Sequence, residues 1–135
     1  MNTQRWLNLS SLLAFLAGLM DATTGIGLVA SPSLTLSCML VPVPGPEALL
    51  YVRFVGAFVG AVGASYLVAL WRDGSEPLRN VFEFTLLFRA AAGLFTGEAV
   101  LAGALAPFWL VVTFTDFLLV GLQVWLLRAA VVANE

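Results

Sequence analysis

Residues 49–70, LLYVRFVGAFVGAVGASYLVAL, decide the fold of this chain. As a helix they are long enough to cross the roughly 30 Å hydrocarbon core of a bilayer, and they carry a single charge, Arg53. Gly56, Gly60 and Gly63 follow that arginine at spacings of three, four and three, which keeps all four residues on one helical face. A charge left facing lipid costs about 2.5–3.5 kcal/mol on insertion scales, so Arg53 is expected to turn inward. The Gly56-x-x-x-Gly60 pair is a close-approach spacing; with Arg53 on its face, packing within a bundle is expected over a homodimer seam.

Three more stretches of the same kind flank it, giving spans at about 6–30, 48–71, 78–105 and 107–132. Pro107 suits the first turn of the last one. The chain is 61% hydrophobic and 10% charged with a mean hydropathy of +0.99, far from the balance of a soluble domain. The expected fold is therefore all-α: an integral membrane four-helix transmembrane bundle, one domain over residues 1–135. Arg5 followed by an apolar stretch imitates a secretory signal, but an uncleaved first helix is the expectation. The connections at 72–77 and 104–107 are short, which favours antiparallel neighbours and an up-down-up-down order. The longer one, 31–47, holds Pro32, Pro42, Pro44 and Pro46 among Leu34, Leu36, Met39, Leu40, Val41 and Val43. It is expected to pack over the helix ends, with a partner contact or a shallow membrane dip as the other reading.

Sidedness follows from the arginines outside the core. Arg5, Arg72, Arg79 and Arg128 share one face and the opposite loops carry none, so both termini are expected in the cytoplasm. Trp6 and Trp71 would anchor the inner boundary, Tyr51 and Trp109 the outer one. With Glu83 one turn after Arg79, a solvated pair is expected near the inner surface.

Five charges then lie within the spans: Asp21, Arg53, Arg89, Glu98 and Asp116. At about 1.5 Å per residue, Arg89 falls near the bilayer centre and the other four in the outer half. Small and polar residues share their faces. Ser10, Ala14, Gly18, Asp21, Thr24 and Gly25 line one side of the first span; Thr113, Asp116 and Gln123 form a stripe on the fourth. Arg89 shares a face with Gly93, Thr96 and Gly97. Two readings of this set stand side by side. One is a register of ion pairs that fixes the helices, with Gly56, Gly60, Gly63, Gly93 and Gly97 as packing positions. The other is a polar cavity made by Asp21, Arg53, Arg89, Glu98, Asp116 and Gln123 that binds an anion, a quinone or a lipid head group, or relays protons.

Absences narrow the chemistry. There is no His and one Cys, so His-based metal or haem ligation and a dithiol relay are excluded, and no metal site is expected. Cys38 reads as a small apolar residue. The chain has no Lys and no basic patch, which excludes a nucleic-acid interface.

The stretch 49–70 with the Arg-Asp turn after it, the Arg of FRAAAG (Arg89) and the Asp of TFTDFLLV (Asp116) resemble the DoxX-like small four-helix bacterial membrane proteins. The resemblance covers nearly the whole chain and points to Arg53, Gly56, Tyr66, Arg89 and Asp116; Asp21 and Glu98 lie outside its pattern. It implies a bacterial inner-membrane location, and some members are linked to quinone-dependent sulfur oxidation or membrane oxidoreductase assemblies. The leading expectation is a non-catalytic accessory subunit or interaction partner of a larger membrane complex, such as an electron-transfer one. Its partners would be membrane lipids and other membrane subunits, and it would carry no cofactor of its own. The alternative is a small transporter, or a quinone-, lipid- or anion-binding membrane protein, that uses the buried Arg/Asp cluster.

Overall fold

Asn2 opens the first helix, its side-chain oxygen accepting the Arg5 amide at 2.8 Å. The computed structural model describes residues 2–72 and 74–132. In them the chain forms α1 (Thr3–Ala30), α2 (Pro32–Cys38), α3 (Pro46–Trp71), α4 (Ser75–Leu101), a single 3₁₀ turn (Pro107–Trp109) and α5 (Leu110–Val132). Asp73, in the short polar turn expected at 72–77, lies outside the described residues. The protein is an all-α four-helix bundle, and its four long helices are long and apolar enough to cross a membrane.

Two boundaries differ from the sequence expectation. The third span does not reach residue 105: Gly103 sits at φ 72°, with its amide bonded to the Val100 carbonyl and the Ala104 amide to Ala99. That is a Schellman stop, which glycine enters without a Cβ penalty, and it ends α4 at Leu101. The connection 31–47 is not all loop, since Pro32 at its first turn starts α2. Leu36 of α2 and Val41 beyond it are buried with Leu28, and Met39, Leu49, Val52 and Trp109 pack against them. This apolar segment covers one end of the bundle. Cys38 is free and exposed at the end of α2.

The helices pack as two close pairs, α1 on α3 and α4 on α5, with lighter contacts between the pairs. Large apolar side chains point outward on every span, among them Phe15, Phe54, Phe84 and Phe114, while small and polar residues fill much of the interior. Outward apolar side chains suit a lipid surround, where close approach and internal hydrogen bonds hold helices together. At the terminal end Trp6 is buried and its indole N–H donates to the Leu126 carbonyl at 2.7 Å, tying α1 to α5. Trp6→Phe keeps most of the packing and removes that bond. We expect a loss of about 0.5–1.5 kcal/mol in a detergent unfolding titration followed by circular dichroism.

Candidate functional site

Arg89 stands near the middle of α4 and is 2% exposed. Gly93 and Gly97 continue its face, where Gly93 lies against Asp116 and Phe117 and Gly97 against Thr113 of α5. This brings α5 close enough for Asp116 Oδ1 to accept from Arg89 Nη1 at 2.8 Å. Arg89 Nη2 donates to Asp21 Oδ2 on α1, and Nε to the Tyr66 hydroxyl on α3 at 3.2 Å. The guanidinium carbon lies 5.6 Å from the centre of the Tyr66 ring. One fork-shaped cation thus fastens all four spans, a task its planar set of donors suits better than a lysine would.

Below the trio of Asp21, Arg89 and Asp116 the polar column continues. Gln123 is 1% exposed, and its amide nitrogen donates to the Tyr66 hydroxyl and to Thr85 Oγ1 at 3.0 Å. Thr85 in turn donates to the Val81 carbonyl at 2.6 Å. Above the trio, Thr96 and Thr113 share a hydroxyl–hydroxyl bond of 2.8 Å between α4 and α5. Among the described residues, Gln123 Oε1 and Ser10 Oγ are buried without a partner. Both belong to residues below the carboxylates, in the half of the bundle where Trp6 meets Leu126. Orphaned groups of this kind are the usual hosts of an internal water.

The residues expected to share one site do not all meet. Asp21, Arg89, Asp116 and Gln123 form the column; Arg53 and Glu98 stand outside it. Arg53 is exposed, and its Nη1 donates to the Val29 carbonyl at 2.5 Å. The last carbonyls of a helix have no partner within it, so the cation caps the C-terminal end of α1 and satisfies its own charge there. Inward burial is therefore not needed. Glu98 is exposed as well, because nine residues place it on the face of α4 opposite Arg89, and the stop at Leu101 leaves it one turn from the helix end rather than deep in the span. Near the terminal end Arg79 and Glu83 lie 3.8 Å apart on the surface, beside a polar cavity of about 250 Å³ lined by Trp6, Glu76 and Asn80.

The packing glycines are also redistributed. A Cβ on Gly56 would lie 2.6 Å from Leu28 Cβ, and one on Gly63 or Gly25 would run into the backbone of the facing helix. Gly60 has room, since a Cβ there would come no closer than 3.6 Å to Gly25. The seam therefore depends on Gly25 of α1, not on Gly60. Its partner Gly18 belongs to the same small-residue face that the sequence marks.

No family model, curated protein or solved structure matches this chain.

Tyr66 and Thr85 complete the polar column. Tyr66 enters from the sequence only through the DoxX-like resemblance, and the sequence signal for Thr85 is its place one turn before Arg89, on the face that Gly93 and Thr96 continue.

Proposed function

We propose that this chain is a non-catalytic integral membrane protein that serves as a small accessory subunit of a larger membrane assembly. The observation that carries the proposal is that all three nitrogens of the Arg89 guanidinium are engaged by the chain itself. Its Nε, Nη1 and Nη2 all bond within the chain, so the charges a ligand would need are consumed in joining helices. What the chain offers outward is a broad apolar surface and, on the outer face of α4, the exposed carboxylate Glu98, which has no partner among the described residues. A carboxylate on the outer face of a spanning helix suits a donor on a neighbouring subunit. An electron-transfer complex of the bacterial cytoplasmic membrane, with both termini in the cytoplasm, accords with the arginine distribution and with the DoxX-like resemblance.

A photo-crosslinker placed at Phe95, exposed on the same stretch of α4 as Glu98, tests this in native membranes. The expected result is a discrete crosslinked protein band that Glu98→Leu weakens severalfold. Crosslinks to lipid alone, with the protein running as a lone chain after mild extraction, would sink the proposal.

One observation favours a second reading, a proton-coupled transporter or a quinone- or anion-binding protein. The trio holds two carboxyls to one guanidinium and is neutral only when it carries a proton, and two orphaned polar atoms lie beneath it. Under that reading Asp116→Asn abolishes proton-coupled flux in liposomes while the fold survives. Unchanged flux in the variant would remove it.

A further inference from the structure

Between α3 and α4, in the half of the bundle nearer the termini, both helices line an open groove. They touch far less than the two close pairs do, and the groove between them has a volume of about 570 Å³. Its α3 wall is built of small residues, Ala61, Ala64 and Val68, and Phe84 forms part of the α4 wall. Ala61, Ala64, Val68 and Phe84 are all exposed in the isolated chain. Along α3 the groove runs from Arg72 to Ala61, roughly 16 Å at the helical rise. That is close to half of the roughly 30 Å hydrocarbon core, the depth of a single leaflet.

Its mouth is polar and carries both signs. Arg72 and Glu76 line it together with Asn80, and neither charge has a partner among the described residues. A lone basic mouth would suit an anionic head group, whereas Glu76 beside Arg72 opposes one and matches a head group with both charges. We infer that this groove holds one acyl chain of a zwitterionic, ethanolamine-type phospholipid, with the phosphate at Arg72 and the ammonium at Glu76. Phosphate takes charge-assisted bonds from the guanidinium and the Asn80 amide, and the ammonium donates to the carboxylate. The site is separate from the Arg89 trio and stands whether or not the accessory-subunit proposal does.

Native mass spectrometry of the delipidated protein, titrated with palmitoyl-oleoyl phosphatidylethanolamine or phosphatidylglycerol, tests it. The wild type is expected to take up one phosphatidylethanolamine about ten-fold more tightly than phosphatidylglycerol, the worth of one charge-assisted pair. Ala64→Leu fills the groove from an exposed position and should weaken that binding at least about ten-fold at unchanged thermal unfolding. Glu76→Gln, which alters no packing, should bring the two lipids to near parity. Equal affinity for both lipids in the wild type, or binding that neither substitution changes, would mean a non-selective lipid coat and would overturn the inference. So would a wild-type dimer that Ala64→Leu splits, because a second copy would then fill the groove.

Discussion

Arg89→Met is expected to cost the bundle about 3–5 kcal/mol, the largest effect of any single substitution considered for this chain. The loss does not come from the attraction of the ion pairs as such. It comes from what remains: Asp21 and Asp116, 6% and 8% exposed, would face each other with no cation between them. Tyr66 would lose one of its bonding partners as well. Combining Arg89→Met with Asp21→Leu and Asp116→Leu removes the stranded charges and should recover most of the loss, since apolar replacement of a buried ionic group is often neutral. Arg89→Lys should fall between, because one ammonium cannot reach both carboxylates and the tyrosine along the guanidinium's three fixed directions. Reversible unfolding in mixed micelles, followed by circular dichroism, measures all three. A single Arg89→Met variant within 1 kcal/mol of wild type would show that the trio does not hold the helices.

The second large effect is expected in the α1–α3 seam, and it distinguishes two glycines that look alike in sequence. Gly25→Ala should destabilise by about 1–3 kcal/mol, because the added methyl runs into the Gly60 backbone and no flexible side chain is there to yield. Gly60→Ala should be near neutral, its methyl having ordinary contact distance to Gly25. The same micelle assay reads both. Equal losses at the two positions would mean that α1 and α3 are not packed in this register.

The sequence made the spans and their number plain, because apolar runs of that length have one common use and short connections leave few arrangements. The inward charges were legible where a small-residue face accompanied them. Asp21 among Ser10, Gly18 and Gly25 fits that pattern, as does Arg89 beside Gly93 and Gly97. The same reasoning failed for Arg53. Its glycine face does meet α1, but a helix rim offers backbone carbonyls that a long side chain can reach without entering the interior. Glu98 was misplaced for a different reason. Its depth depended on where α4 ends, and that is set by one glycine, Gly103, in a left-handed conformation. Which glycines matter was not legible either, because a seam has two sides and each residue's clearance depends on the one opposite. Tyr66 is marked by the resemblance and Thr85 shares the Arg89 face, but their joining through Gln123 needed the three-dimensional meeting of α3, α4 and α5.

The joint that Arg89 makes with Asp21 spans 68 positions of sequence, and this has a consequence for biogenesis. At ribosomal speeds of about 5–20 residues per second, the arginine is synthesised roughly 3–14 s after the aspartate it serves. During that interval the first two spans must be accommodated by the insertion machinery as a hairpin with a carboxyl that has no cation of its own. The α1–α3 glycine seam needs nothing from the later half of the chain, so it can zip at once and shield Asp21 until α4 emerges. A chain weakened in that seam would then be lost to quality control before its central joint could form.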